Sequence, residues 1–220
     1  MQRFLRQAVM VEGDPRRIVA DGYNRIAERY AQWIRDDVVD AARPKYLALL
    51  LESLPAGAGV LELGCGSGGS TTAQLAERFT LTGVDISERQ IELARAAVPH
   101  ATFVCDDFTR MTFAAASFDC VTSFYVFNHL PYGELPSLLQ RIATWLRRGG
   151  LLVAALARKH DHGTVEKNWL GAPMYFSGYS PEESRGFVEA AGLSVVSLEL
   201  EPMVESGAAT EFLWLVARKP

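Results

Sequence analysis

The sequence has 220 residues, 49% of them apolar, enough for one sizeable hydrophobic core and too few for two, so residues 1–220 are expected to form a single domain. Its formal net charge of -4 comes with no basic stripe, which excludes a general nucleic-acid binder, because phosphate affinity rests on clustered Lys and Arg. The three cysteines, Cys65, Cys105 and Cys120, are odd in number and lack C-x-x-C spacing, which reads as reduced thiols in a cytoplasmic protein without a metal site.

The first stretch, Met1-Gln2-Arg3-Phe4-Leu5-Arg6-Gln7, has no apolar run of signal-peptide length. No run of about twenty apolar residues occurs further on, so neither export nor a membrane span is expected. Phe4, Leu5, Ala8 and Val9 sketch a short amphipathic helix before a break at Gly13-Asp14-Pro15. From Asp21, read as an N-cap, Tyr23, Ile26, Ala27, Tyr30, Trp33 and Ile34 recur at helical spacing. A second helix opens near Pro44, carries Tyr46, Leu47, Leu50, Leu51 and Leu54, and ends at Pro55.

Then comes Val60-Leu61-Glu62-Leu63-Gly64-Cys65-Gly66-Ser67-Gly68-Gly69-Ser70-Thr71, a buried strand, a tight turn and a helix start. Glycines let the backbone approach a bound molecule, and the unpaired N–H groups of the new helix favour a nucleotide-like or carboxylate-bearing ligand. Gly64, Gly66 and Gly69 also satisfy the G-x-G-x-x-G spacing of dinucleotide-binding folds.

The pattern continues with a helix at 70–78, a strand at 81–84, the turn Asp85-Ile86-Ser87, and a helix carrying Ile91, Ala94 and Val98 behind a Ser87/Gln90 capping box. A strand at 102–105 ends in Asp106-Asp107, and a strand at 118–124 is apolar enough for burial on both faces. Leu135, Leu138, Leu139, Ile142, Trp145 and Leu146 mark a helix closed by Gly149-Gly150, with a strand at 151–157 behind it. This alternation predicts a doubly wound α/β fold with a parallel sheet, and ligands then bind beyond the carboxyl ends of the strands. Residues 158–180 lack periodicity but are rich in aromatics, which reads as a functional loop, a lid or substrate segment. Ser180-Pro181-Glu182-Glu183 opens the last helix, and 193–201 with 211–218 read as an antiparallel hairpin.

Glu62 two residues before the first glycine, the Gly-Cys-Gly-Ser-Gly turn, Asp85 at the end of the next strand, the terminal hairpin and Trp145-Leu146-Arg147-Arg148-Gly149-Gly150 together resemble the class I S-adenosylmethionine-dependent methyltransferases, from about Asp21 to the end. The resemblance implies a mostly parallel seven-stranded sheet with helices on both faces, S-adenosyl-L-methionine as cofactor and S-adenosyl-L-homocysteine as product. It gives the methionine end of the cofactor to Glu62, Gly64, Cys65, Gly66 and Gly68, with Phe124 passing beside it, and the ribose to Asp85 with Ile86 against the base. At the adenine amino group the family register places Asp107, with Asp106 as the alternative and Phe108 next to them.

Tyr23 and Tyr30 share a helix face and either reach over the cofactor, where an aromatic face favours a sulfonium, or pack in the core. Residues 1–55 are read as a helical cap. Tyr125, His129, Trp169, Met174 and Tyr175 are read as the acceptor pocket. His129, with an ordinary pKa near 6.5, is either a general base or a wall histidine. After the strand at 118–124 there is no Asn-Pro-Pro-Tyr stretch of base-modifying amino methyltransferases, which points to an oxygen, nitrogen or sulfur of a small molecule. A nicotinamide-dependent oxidoreductase would use the same glycines, and a cofactor-binding sensor or scaffold without turnover would carry the same motifs.

Overall fold

A computed structural model describes residues 13–220, so the helix expected around residues 4–9 lies outside the described residues. The first helix, α1 (Pro15–Asp36), starts six residues before Asp21. Asp14 is its N-cap, accepting from the Arg16 N–H at 3.0 Å, and Pro15 fills the first turn. Gly13-Asp14-Pro15 therefore starts the helix rather than breaking a pattern, because a first-turn proline gives up an N–H that has no intrahelical acceptor. After β1 (Val38–Asp40) comes α2 (Ala42–Ser53), whose first N–H groups, of Ala42 and Arg43, both donate to Asp40 Oδ1 at 3.0 Å.

The alternation then runs β2 (Gly59–Leu63), α3 (Ser70–Arg78), β3 (Thr80–Asp85), α4 (Glu88–Ala97), β4 (Thr102–Cys105), β5 (Phe118–Ser123), a single 3-10 turn (Phe127–His129), α5 (Leu135–Trp145) and β6 (Leu146–Leu156). A hairpin of β7 (Asp161–Trp169) and β8 (Ala172–Gly178), α6 (Pro181–Ala190), β9 (Ser194–Glu205) and β10 (Ala208–Arg218) complete the chain.

The main sheet has the order β1-β9-β10-β6-β5-β2-β3-β4. The run from β6 to β4 is parallel, and β10, β9 and β1 are antiparallel to their neighbours. The seven expected strands are present, and the three-residue β1, too short to show a period, adds an eighth at the edge, with Val38 opposite Glu205. One sheet face buries Val60, Cys120 and Trp214 against α2, α3 and α4. The other buries Leu61, Leu63 and Val121 against α5 and α6. Both faces are covered, which is why the central strands read as continuous apolar runs. No helix among the described residues is long and apolar enough to cross a membrane.

Residues 158–180 are not a loop but the β7-β8 hairpin, turning at Leu170-Gly171, where φ is +50° and +98°. Register shifts between Asp161 and Thr164 and between Glu166 and Trp169 break the alternation that would have marked β7, and β8 is buried along most of its length. The hairpin packs on α1 through Val19, Ile26, Ala172, Met174 and Tyr175. Gly22 lies at this contact, where an added Cβ would sit 2.8 Å from the Pro173 carbonyl oxygen and the Met174 Cε. Gly22→Ala should lower the urea-unfolding free energy by about 1–2 kcal/mol, the overpacking cost exceeding the helix-propensity gain. A variant at least as stable as the parent would contradict this packing.

Candidate active site

The carboxyl ends of β2, β3, β4 and β5 meet at a cavity of about 310 Å³ roofed by α1. The turn after β2 has three glycines with positive φ, Gly64 (+72°), Gly66 (+55°) and Gly68 (+70°). The N–H groups of Gly64 and Cys65 both donate to the Val84 carbonyl, at 2.7 and 3.1 Å, so the turn folds back onto β3. At Gly64 a Cβ would overlap the Val126 side chain, while at Gly66 it would meet nothing closer than Gln90 Oε1 at 4.0 Å. Gly66 is thus required for its backbone angle, and it leaves the turn open toward the cavity. Gly68 serves packing instead, since its Cβ would lie 3.0 Å from Ala94 Cα in α4, and it does not line the cavity.

Two acids are buried behind the turn. Asp85 accepts from the Gly66 N–H through Oδ2 and from the Ser87 N–H through Oδ1, both at 2.9 Å. Burial pushes its pKa up to about 6 against the pull of those two bonds. Glu62 accepts from the Thr72 hydroxyl at 3.2 Å through Oε1, but its Oε2 is buried without a partner among the described residues. Burial raises its pKa to about 8. An unpartnered carboxyl oxygen in a cavity wall is costly by itself and is satisfied by a ligand that donates there.

Thirteen of the residues singled out in the sequence line this cavity: Tyr23, Tyr30, Glu62, Gly64, Cys65, Gly66, Asp85, Ile86, Asp107, Phe108, Phe124, Tyr125 and His129. Asp106 does not. It is exposed, and its carboxylate accepts from the Asp107 N–H at 2.7 Å. Asp107 accepts from Arg16 Nε at 2.7 Å and from the Thr109 N–H at 2.8 Å. Arg16 also pairs with Glu134, and it lines the cavity. Arg16 was not legible as a site residue, because its partners lie 91 and 118 positions away.

Trp169 faces a second cavity, of about 400 Å³, which shares Tyr23, Tyr30, Ile34, Tyr125 and His129 with the first. Met174 and Tyr175, expected in the acceptor pocket, are instead core residues at 0% and 2% exposure. Tyr175 acts through its backbone, its carbonyl accepting from His129 Nδ1 at 2.8 Å. That bond fixes the tautomer, so the unprotonated His129 Nε2 accepts from the Tyr23 hydroxyl at 2.9 Å. Burial drives the His129 pKa down to about 4 and the Tyr23 pKa well above its ordinary value. The histidine is therefore neutral at pH 7, not half-titrated near 6.5.

Tyr125 sits at the border of the two cavities with φ +66°, a strained angle for a tyrosine. Its hydroxyl donates to Asp40 Oδ2 at 2.8 Å, and the Arg43 guanidinium lies 4.8 Å from its ring centre. Asp40 thus ties the start of α2 to the cavity wall, a role its position in a three-residue edge strand does not announce.

The buried acids give a stability test. In the folded chain Asp85 and Glu62 have pKa values raised above those of an unfolded chain. Their contribution is fully present at low pH and is lost as pH rises through about 6 and then about 8. The melting temperature of the unliganded chain should fall across this range, and Glu62→Gln should remove the upper part of the fall. Parallel curves for parent and variant would contradict a raised Glu62 pKa.

Residues 60–150 match the family model described as a methyltransferase domain. A 2-methyl-6-phytyl-1,4-hydroquinone methyltransferase from Synechocystis is 30% identical over 174 residues, covering 77% of this chain and 54% of that protein. A trans-aconitate 2-methyltransferase from Deinococcus radiodurans is 37% identical over 109 residues, 48% of this chain and 40% of that one. The chain thus spans about half the length of these curated relatives. Among solved structures, magnesium protoporphyrin IX methyltransferase from Synechocystis with bound S-adenosylmethionine superimposes with a TM-score of 0.72 at 20% identity, covering 96% of this chain and all of that one, and so shares the fold. By its glycine turn, its sheet order and these matches, the chain carries a methyltransferase domain over residues 60–150 and has the class I, Rossmann-like methyltransferase fold.

Proposed function

We propose that the first cavity binds S-adenosylmethionine and that the chain transfers its methyl group to an oxygen, nitrogen or sulfur of a small molecule held in the second. The observation that carries this is the buried, unpartnered Glu62 Oε2 beside the open Gly66 turn, which fits an ammonium such as that of a methionine moiety. Asp85, fixed by two backbone N–H groups, keeps lone pairs for ribose hydroxyls. Ile86 and Phe108 supply apolar surface for the base, and Asp107, held by Arg16, accepts from its amino group. The bound cofactor supplies an activated methyl carbon and a good leaving group, so the protein mainly orients the acceptor and excludes water.

Tyr23 belongs to both cavities, and its hydroxyl donates to His129 Nε2. His129 then acts through Tyr23: as an acceptor proton reaches the phenol oxygen, the phenol proton moves to Nε2. A histidine this weakly basic suits acceptors that need little help. The β7-β8 hairpin and α1 together roof the acceptor side, and the free thiols suit a cytoplasmic setting.

Calorimetry should show S-adenosylhomocysteine binding and far weaker binding of NAD. Asp85→Ala should weaken the former by about tenfold or more, the loss of charge-assisted hydrogen bonds. The affinity should rise between pH 6 and 8 as Glu62 ionises to meet the ligand ammonium, a trend that Glu62→Gln should abolish. Equal affinity of Asp85→Ala and parent would remove Asp85 from the site.

With an acceptor found in a panel of phenols, amines and thiols, Tyr23→Phe and His129→Ala should each lower kcat, by about a hundredfold for a hydroxyl acceptor, and leave cofactor affinity nearly unchanged. Turnover by the parent should be flat from pH 6 to 8 as far as His129 is concerned, since that group titrates near 4. Parent-like kcat in both variants would make the pair structural.

A further inference from the structure

The second cavity is walled by Trp33, Trp169, Phe176 and Phe212, and its polar groups are weighted toward acceptors. The charged side chains lining it are Asp161, Glu166, Glu205 and Glu211 against Arg158 and Lys159, four acids to two bases. Arg158 pairs with Glu211 at 3.6 Å, and Asp161 accepts from the Gly163 N–H at 2.9 Å and the Thr164 hydroxyl at 3.1 Å. Lys159, exposed, makes no ion pair among the described residues, and neither do Glu166 and Glu205.

Glu205 makes no side-chain hydrogen bond or ion pair among the described residues, although its backbone is fixed opposite Val38 in the ladder of β9 with β1. Burial, with the nearby Asp40 charge, holds its carboxyl above the usual range. Asn128 lines the same cavity, and its Oδ1 is buried without a partner among the described residues. Next to Glu205, Ser206 accepts from the Trp33 indole N–H at 2.9 Å, which holds one aromatic wall beside the acid. A buried amide oxygen without a partner and a half-buried carboxylate without a cationic partner, in one cavity with aromatic faces, are complementary to a group that carries both donors and positive charge. An anionic ligand would meet like charge there.

We propose that the second cavity recognises an acceptor bearing an ammonium group on an apolar or aromatic body, with the Glu205 carboxylate and Asn128 Oδ1 accepting from the ammonium and Trp33 and Trp169 packing on the body. This rests on the methyltransferase reading of the first cavity.

The test is calorimetry on the full chain loaded with S-adenosylhomocysteine, using three probes with one ring and one chain length class: phenethylamine, phenethyl alcohol and 3-phenylpropionate. The amine should bind more tightly than the alcohol, and the carboxylate least. Glu205→Gln, which keeps the shape and removes the charge, should cost the amine about tenfold while the alcohol and S-adenosylhomocysteine keep their affinities. The unchanged cofactor-product affinity also reports that the variant is folded. Alcohol or carboxylate binding as tightly as the amine, no binding of any probe, or an unchanged amine affinity in Glu205→Gln would overturn the amine proposal alone. Failure of the parent to bind S-adenosylhomocysteine would overturn both it and the function on which it rests.

Discussion

The site depends on two carboxyl groups buried at the ends of adjacent parallel strands, Glu62 on β2 and Asp85 at the end of β3. A buried acid costs free energy unless it is neutralised or hydrogen-bonded, and each meets that cost differently. Asp85 spends its oxygens on the backbone of the Gly66 turn and of Ser87, which makes it the brace of the turn as well as a wall of the cavity. Glu62 has one oxygen satisfied by Thr72 and one left open. The strain-free positive φ of the glycines is what lets the turn curl over both acids without a side chain filling the space.

A second constraint works from above. Helix α1 is held down at its start by Arg16 on Asp107 and Glu134, and along its length by the β7-β8 hairpin. Between these anchors the helix presents Tyr23 and Tyr30 to the boundary of the two cavities, where their rings meet edge to face at 5.2 Å. His129 completes the boundary because the Tyr175 carbonyl, deep in the hairpin, holds its ring. The core residues of the hairpin thus set the proton position on a histidine they do not appear to serve in sequence. The same boundary separates the two cavities, which share these side chains.

Most of the central fold was legible because its signals are local. Short apolar runs bounded by glycine, and caps such as Ser87 and the Ser180-Glu183 box, specify strands and helix starts within a few residues, although Asp21, read as an N-cap, lies inside α1 and the Ser87/Gln90 box is only half formed, the Gln90 side chain having no partner among the described residues. Asp85 followed from its place at a strand end, whereas Glu62 and the choice of Asp107 over Asp106 came from the resemblance to the methyltransferase family, and the parallel sheet brings all three to one cavity. What was not legible depends on distant pairing. The strand β1 exists only because β9 offers an edge, and β7 hides its alternation behind two register shifts. Met174 and Tyr175 look like pocket aromatics and large apolar groups in sequence, yet the packing of α1 on β8 buries them. The His129 pKa could not be foreseen either, since its value near 4 comes from burial beneath elements 46 and 106 residues away.

A crystal structure of the chain with S-adenosylhomocysteine tests the central claim most directly. The ligand amino nitrogen should lie about 2.7–3.2 Å from Glu62 Oε2, and the ribose hydroxyls at the same distance from Asp85. A ligand bound in the second cavity, or one seated at the glycine turn while Glu62 Oε2 keeps no partner, would contradict it.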